Sequence, residues 1–278
     1  MCMEISQEFD TLKIVSEMVR NLSRIRDYIE SGRTRIKLRV MADWVTPIHI
    51  LPLGVYANIN RVRIDCEDNA RKICDYFDRI GYPYGVTTVD ESDPTALSLS
   101  KLRAGTDDDI LSRYEEKIIA SVSQGSRSSF SNALKYLTSE LTTNVREHSG
   151  VDHYWILAQY WPSTETCEIA IADTGKGYLE SYRGTKYETS NHHEAIQNVV
   201  EGYSSKGWVE RGTGIPGTIR LFTEGYGGEI VVYTGNALWH MKDGATSRYD
   251  TPVSWRGIVF GLRFQIRSVN IYPFISGD

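Results

Sequence analysis

The strongest constraint on the fold is an apolar stripe within residues 130–145. Its members recur at intervals of three and four: Phe130, Leu134, Leu137, Leu141 and Val145. This period predicts a helix over about residues 129–148, after a loop at 124–129. Glu140 and Asn144 flank the stripe one turn apart, so we expect both to be half-buried. A carboxylate and a carboxamide placed this way can hold a hydrated divalent cation beside a phosphate chain.

Two glycine-rich segments follow this helix. Residues 173–177 (DTGKG) continue from a predicted strand, and their glycines let the backbone approach a flat ligand closely. Asp173 can accept a hydrogen bond from an exocyclic amine such as that of adenine. Residues 211–217 (RGTGIPG) lead into a helical pattern, where backbone N–H groups at the helix start can bind phosphate. This second segment is neither a P-loop nor a dinucleotide fingerprint, because it lacks GK[ST] and no βα unit precedes it.

The remaining C-terminal segments alternate between apolar and polar residues and predict an antiparallel sheet. The predicted strands cover residues 154–161, 167–172, 228–234, 237–241 and 257–266. Residues 244–252 are predicted to connect the last two strands. The polar segment 178–210 contains a predicted helix near 192–201 and lies where a mobile lid would be expected. His192 and His193 have no third ligand at metal-site spacing, so we expect them at the surface or at a cap.

The N-terminal part predicts a small α/β module. An apolar period over residues 9–29 predicts an amphipathic helix that stops at Gly32. Two strands are predicted at residues 35–41 and 62–64, and a helix is predicted at residues 70–80. Residues 48–56 contain Pro52 and directly follow Pro47, which favours an edge strand or an extended loop. The acidic, turn-rich region around residue 105 predicts a division into domains 1–105 and 106–278.

Composition narrows the classes of function. The chain has 278 residues, a net charge of −5 and no long basic run, which argues against nucleic acid as a partner. The four cysteines form no CxxC pair and predict reduced thiols. The N-terminus has no signal-peptide pattern, and no apolar run reaches the roughly 20 residues that span a bilayer. We therefore expect a cytoplasmic, soluble protein with no membrane contact.

Taken in order, the three segments resemble the three boxes of the GHKL ATP-binding superfamily. This group includes the ATPase domains of DNA gyrase, heat-shock chaperones, histidine kinases and mismatch-repair proteins. NVREHSG resembles the N box of anti-sigma-factor and related HATPase-c domains, EAIQNVVEGYSSKG resembles the lid of the stand-alone members, and GGEIVVYTG is similar to the closing region. The resemblance covers about residues 108–267. It implies an α+β fold whose C-terminal domain is a two-layer α/β sandwich with a mixed, largely antiparallel sheet covered by helices.

The resemblance also implies ATP and Mg²⁺ as ligands. Asn144 would bind the Mg²⁺ that bridges the phosphates, and Glu140 would orient water or the metal shell and act as the general base if ATP is hydrolysed. Asp173 would bind the adenine amine. The other implied nucleotide contacts are Gly175 and Gly177 at the adenine wall, and His148, Lys206, Gly212, Thr213, Gly214 and Gly217 at the phosphates. Pro216 departs from the third box, since it removes one backbone N–H.

The N-terminal module resembles the truncated STAS-like domains that precede ATP-binding domains in bacterial proteins. The resemblance rests on the order of its elements and on residues 76–85 (YFDRIGYPYG). A serine at the phosphorylatable STAS position is lacking. The implied role is interaction with a partner protein.

Three functions remain open from the sequence. The first is a Mg-ATP-binding regulator whose GHKL-type domain controls a partner protein through the N-terminal module. The second is an enzyme, either an ATPase or an anti-sigma-factor-like serine kinase. The third is a degenerate binding module without ATP turnover. A sensor histidine kinase is disfavoured, because no membrane segment and no His-bearing dimerisation helix precede the first box. A homodimer is left open.

Overall fold

The computed structural model describes residues 2–5, 10–40, 44–66, 71–86, 97–204 and 214–275. The helices in these ranges are α1 Thr11–Glu30, α2 Pro47–Ile59, α3 Arg71–Ile80, α4 Asp108–Ser121, α5 Gln124–Asn144, α6 Gly177–Ser181, α7 His192–Val200, α8 Gly214–Arg220 and α9 Tyr272–Ile275. The strands are β1 Cys2–Ile5, β2 Arg35–Val40, β3 Arg63–Cys66, β4 Ser100–Arg103, β5 His153–Trp161, β6 Thr166–Ala172, β7 Glu229–Lys242 and β8 Ala245–Gln265.

The fold is α+β, as predicted, and is built on a five-stranded sheet. Its strand order is β4-β5-β6-β8-β7, and each neighbouring pair is antiparallel. A second sheet of three parallel strands has the order β1-β2-β3. β4 pairs with β5 although it precedes residue 105, and the division into domains 1–105 and 106–278 stays a prediction.

Side chains alternate between the two faces of the five-stranded sheet. Ile156 and Ile169 lie on the face that we call the front, in a core shared with α4 and α5. Trp155 and Ala170 lie on the back face, in a core shared with α1 and α2. Both faces are therefore buried, and helices from the N-terminal part of the chain cover the back.

The first helix forms where its apolar period predicts it. Asp10 caps α1, since its carboxylate accepts hydrogen bonds from the backbone N–H groups of Leu12 at 2.8 Å and Lys13 at 3.3 Å. Met18 and Leu22 on its apolar face are fully buried. The chain leaves the helix at Gly32, whose positive φ of 76° suits glycine.

The prediction of an edge strand or loop at residues 48–56 is wrong, because this segment is helix α2. Thr46 caps the helix, and Pro47 occupies the first turn, where a missing N–H leaves no bond unmade. Nearly every residue of α2 is buried. A helix that is apolar on all sides has no 3.6-residue period, so the sequence pattern did not separate it from a buried strand.

Two further boundaries differ from the predictions. α5 begins at Gln124, so residues 124–129 are helical and not a loop. β7 and β8 form one long hairpin in which Lys242 pairs with Ala245, so the predicted connection at 244–252 is wrong. Asp243 and Gly244 make the turn with φ of 51° and 73°, and Asp-Gly is a preferred pair for a two-residue hairpin turn.

The cysteines are not all reduced thiols. Cys74 is disulfide-bonded, which contradicts the prediction, whereas Cys167 is free and buried in the front core. A disulfide requires two Cα atoms about 4.4–6.8 Å apart, a spatial relation that sequence spacing does not reveal. Within the described parts of the chain, no helix combines the length and apolar character needed to cross a bilayer.

Candidate functional site

A cleft of about 300 Å³ opens where the C-terminal end of α5 meets α6, α7 and α8. This volume falls at the lower end of the range for ligand pockets. Its lining includes four residues that the sequence singled out: Glu140, Asn144, His148 and Gly214. The first three follow one another at intervals of four along one face, and each is half-buried. The predicted half-burial of Glu140 and Asn144 is confirmed.

A π-helical turn reshapes the end of α5 beside the cleft. The α-helix ends at Asn144, and residues Val145–Ser149 form the wider turn. The Ser149 hydroxyl donates to the Val145 carbonyl at 2.5 Å, and Gly150 ends the turn with a φ of 73°. Such turns occur frequently at functional sites. Glu147 and His148 lie in this turn and line the cleft.

Glu140, from the first of the three sequence segments, contacts Gly214 in the third. Its carboxylate lies so close to Gly214 that a Cβ at position 214 would collide with it. Burial raises the pKa of Glu140, and the nearby Glu147 carboxylate raises it further. Glycine at position 214 therefore leaves room for the Glu140 carboxylate in its observed position.

Tyr136 and Gly217 make a second contact between the same two helices. The Tyr136 hydroxyl donates to the Gly214 carbonyl at 3.2 Å, and burial raises its pKa to about 12. A Cβ at Gly217 would lie 2.7 Å from that hydroxyl and 2.9 Å from the Phe274 carbonyl. Gly217 thus packs between helices and is not among the residues that line the cleft. A phosphate contact at Gly217 stays a prediction.

Asp173 lies at the end of β6 and is 4% exposed. Its carboxylate accepts a hydrogen bond from the Gly175 N–H at 2.8 Å. Its own N–H donates to the Ile258 carbonyl at 2.9 Å, and its carbonyl accepts from the Trp255 indole at 3.0 Å. Burial raises the pKa of Asp173 to about 6, against a partial lowering by the Gly175 hydrogen bond. Asp173 is not among the residues that line the cleft, whereas its hydrogen-bond partner Ile258 lines it.

The glycines after Asp173 bring the first and second segments together. Gly175 packs on the Ser149 carbonyl, where a Cβ would collide, and the Lys176 N–H donates to the same carbonyl at 2.7 Å. Gly177 has a φ of 72°, and a Cβ there would lie 2.6 Å from the Thr234 hydroxyl. All three segments therefore meet around the end of α5.

Several neighbours of the site were missed by the sequence reasoning. Thr234 is buried on β7, and its hydroxyl donates to the Gly257 carbonyl at 2.7 Å. Gly257 has a φ of 97° and packs against Asp173 so closely that a Cβ would collide. The only sequence signals were a threonine and a glycine inside apolar strand patterns, which also occur in ordinary strands.

Three tyrosines form the side of the cleft opposite α5. Tyr178, Tyr182 and Tyr203 line it. The Tyr182 hydroxyl donates to the Tyr203 carbonyl at 2.6 Å, and the Tyr187 and Tyr203 rings stack with centroids 4.6 Å apart. These contacts hold the segment after α7 against the cleft. This segment lies within residues 178–210, the region that the sequence predicts as a lid.

Part of the third segment lies outside the described residues. This is the case for Lys206, Gly212 and Thr213, so their predicted phosphate contacts stay predictions. Pro216 is described and lines the cleft as the third residue of α8. The first four N–H groups of a helix have no partner within it, so the proline removes no hydrogen bond from the helix itself.

The polar groups of the cleft suit a magnesium–phosphate ligand. Oxygen atoms are available from Asn144, Glu140 and Glu147, and oxygen is the ligand type that Mg²⁺ takes. Within the described ranges, no cluster of three or more His, Cys, Asp or Glu side chains could hold a metal by itself. Mg²⁺ is usually held by one or two protein oxygens together with substrate phosphates and water, so the donor set fits a cation that arrives with its nucleotide.

The two adjacent histidines have other roles. The His192 ring packs on Gly235. His193 accepts a hydrogen bond from the Trp239 indole at 2.8 Å and contacts the Asp250 carboxylate at 3.1 Å. These contacts attach α7 to the long hairpin.

The sequence matches no protein-family model and no curated protein. The resemblance to the GHKL superfamily therefore stays a prediction from the sequence motifs.

Proposed function

We propose that the chain is a regulatory protein that binds Mg-ATP in the cleft at the end of α5, through a GHKL-type domain. The convergence of three sequence segments carries this proposal. Gly214 packs on the Glu140 carboxylate, and Gly175 packs on the Ser149 carbonyl. Contacts between residues 26 and 74 positions apart in the chain thus bring the three segments together around the end of α5, which the proposed site requires.

Adenine recognition is assigned to the buried end of β6. Asp173 keeps an acceptor fixed by its bond to the Gly175 N–H, and a fixed acceptor loses little entropy when an amine binds. Gly177 and Gly257 let the backbone pack closely around this residue, since a Cβ at Gly257 would collide with Asp173. The Thr234 hydroxyl lies beside Gly177 as a further polar group.

The charge of the cleft explains why a cation is needed. Glu140 and Glu147 both line it, and two carboxylates would repel the phosphates of a nucleotide. Bound Mg²⁺ supplies positive charge that neutralises the phosphate oxygens. Asn144 lies between the two carboxylates in sequence and offers its amide oxygen to the cation. The proposal therefore requires nucleotide binding to depend on magnesium.

A second candidate, ATP hydrolysis, is favoured by the state of Glu140. Burial and the Glu147 carboxylate raise its pKa, which makes it a stronger base than an ordinary glutamate. Its carboxylate faces the backbone of Gly214 at the start of α8, where phosphates would lie. An assay for phosphate release separates an ATPase from a protein that only holds ATP.

We also propose that the N-terminal part of the chain binds a partner protein. The resemblance to STAS-like domains implies that this part interacts with another protein. Its helices α1 and α2 pack on the back of the sheet. In that position the helices share a core with Trp255, whose indole donates to the Asp173 carbonyl. A partner bound to the N-terminal part is thereby linked to the nucleotide site.

A thermal-shift screen of nucleotides tests the proposal. ATP or ADP with Mg²⁺ should raise the melting temperature by roughly 5 °C or more at concentrations about 100 times Kd. GTP with Mg²⁺ and ATP with a chelator serve as matched controls and should give much smaller shifts. Equal shifts for all nucleotides, or no shift with Mg-ATP, would refute the proposal.

A further inference from the structure

A second cavity, of about 600 Å³, lies far from the nucleotide cleft. It opens between α3, the residues just before α2 and the C-terminal end of β5. Gln159 and Trp161 from β5 line it, whereas the end of α5 joins the opposite end of that strand. The nine residues of β5 separate the two sites by roughly 27 Å, at about 3.4 Å per residue. We call this space the α3–β5 cavity.

Aromatic rings form much of its wall. Trp44 and Trp161 meet edge to face with ring centroids 6.0 Å apart, and both are partly exposed. Tyr76 is largely buried, and its hydroxyl donates to the Gln159 amide oxygen at 2.7 Å. This bond fixes the Gln159 amide, so its nitrogen is the end that can donate to a ligand. Flat apolar walls with one oriented donor favour an aromatic ligand.

Among the described residues that line the cavity, the charged side chains all lie on one face of α3. Lys72, Asp75, Tyr76 and Arg79 all line the cavity. Their spacing of three, four and seven places them on the same side of the helix. Two cations and one carboxylate leave this face with a net positive charge, and Lys72 and Arg79 are exposed. The nucleotide cleft has the opposite character, since Glu140 and Glu147 line it.

We propose that the α3–β5 cavity binds a small molecule that carries an aromatic ring and an oxyanion, either a carboxylate or a phosphate. The ring packs against Trp44, Trp161 and Tyr76. The oxyanion lies at the mouth between Lys72 and Arg79 and needs no metal, because the protein supplies the positive charge. The ligand touches both α3 and β5, so it stabilises the attachment of the N-terminal part to the sheet. This site does not depend on whether the first cleft binds ATP.

Ligand-observed NMR titrations of the full chain with four benzene derivatives test the proposal. Phenyl phosphate and phenylacetate are the two anionic probes, benzyl alcohol is neutral and benzylamine is cationic. One or both anions should saturate a single site with a Kd at least about tenfold below that of benzyl alcohol, and benzylamine should bind most weakly. The order of the two anions tells a phosphate site from a carboxylate site. Absence of saturation, or tightest binding by benzylamine, would overturn the proposal.

Variants locate the binding within the chain. Trp161→Ala should weaken every probe, and the double change Lys72→Gln with Arg79→Gln should remove the preference for anions while neutral binding persists. Arg113→Gln removes one charge from an exposed site on α4 and should change nothing. Anion binding that survives both sets of changes would place the site elsewhere and contradict the assignment. If Trp161→Ala fails to fold, the exposed Lys72 and Arg79 changes still decide the question.

Discussion

At the scale of single residues, Asp173 is the group to which we assign adenine recognition. Its carboxylate is buried and accepts one backbone hydrogen bond, from Gly175. A buried carboxylate is costly unless it is paired or has a function. Its raised pKa, about 6, reflects that cost. The proposed adenine amine would supply a second hydrogen bond to this group.

The change Asp173→Asn should weaken adenine nucleotides selectively. The amide oxygen can still accept from Gly175, so the loop is kept, but the charged acceptor is lost. A hydrogen bond to a charged group contributes about 1.5–3 kcal/mol, so the Kd for Mg-ATP should rise by roughly tenfold or more. Inorganic triphosphate with Mg²⁺ is the control ligand, and its affinity should stay the same. An equal loss of affinity for both ligands would show that Asp173 does not recognise the adenine base.

Gly214 gives a second prediction at this scale. In Gly214→Ala the added methyl group would collide with the Glu140 carboxylate, so the Glu140 side chain must rotate away or the two helices must separate. We expect a loss of at most about 1–3 kcal/mol in unfolding free energy together with loss of Mg-ATP binding. Gly125→Ala on α5 is the matched control, because nothing lies within 4 Å of the added Cβ. Urea unfolding and calorimetry measure both effects, and a Gly214→Ala protein with native stability and affinity would contradict the close contact.

At the scale of elements, helix α2 is held on the sheet by a buried carboxylate. Glu168 on β6 accepts a hydrogen bond from the Ile48 N–H in the first turn of α2 at 2.7 Å. Its other oxygen has no hydrogen bond, and the Arg263 guanidinium lies 3.9 Å away. Burial raises the pKa of Glu168 to about 7, although Arg263 and the Ile48 N–H lower it in part. The carboxyl therefore holds its proton in the folded state at pH values where the unfolded chain has lost it.

Glu168 should make the protein less stable as pH rises. Below its ordinary pKa of 4.5, both states are protonated. Between 4.5 and about 7 only the folded state binds the proton, so unfolding free energy falls with pH, by on the order of 3 kcal/mol in total. Glu168→Gln should remove this fall and be relatively more stable at pH 8. Glu116→Gln, an exposed position on α4, is the control. Parallel stability curves for wild type and Glu168→Gln in urea unfolding would refute the raised pKa.

The elements also show how far the sequence could predict the fold. α1, β5, β6 and α7 follow clear periods and turn signals, so they were predicted close to their observed bounds. α2 is apolar on every side and has no period to read. The Asp243-Gly244 pair is a sequence signal for a two-residue turn. The predicted connection at 244–252 did not use this signal. The contact between Gly214 and Glu140 joins positions 74 residues apart, so only folding brings them together.

At the scale of the whole molecule, the back-face core connects the N-terminal helices to the proposed nucleotide site. Trp255 lies in that core, and its ring contacts Tyr56 of α2 with centroids 6.3 Å apart. Its indole N–H donates to the Asp173 carbonyl at 3.0 Å. We therefore expect a displacement of α2 to shift the loop that would bind adenine. The sequence could not reveal this path, because Tyr56, Asp173 and Trp255 are distant in the chain.

Trp255→Phe tests this connection. Phenylalanine keeps an aromatic ring in the core but cannot donate to the Asp173 carbonyl. Loss of the bond should cost about 1 kcal/mol in unfolding free energy, and Mg-ATP affinity should fall because the Asp173 loop is held less firmly. Calorimetry and urea unfolding on the same sample measure both. Reduced stability with unchanged nucleotide affinity would mean that the back core and the site are independent.

Isothermal titration calorimetry of wild type and Asn144→Ala tests whether ATP binding depends on magnesium held by Asn144. Each protein is titrated with ATP in Mg²⁺ and again in a chelator, and matching circular dichroism spectra establish that both are folded. Wild type should bind one ATP per chain and lose at least about tenfold in affinity without Mg²⁺. Asn144→Ala should bind ATP weakly and equally in both conditions. Unchanged Mg-ATP affinity in Asn144→Ala would show that Asn144 does not hold the magnesium. Absence of ATP binding by wild type would refute the proposed function.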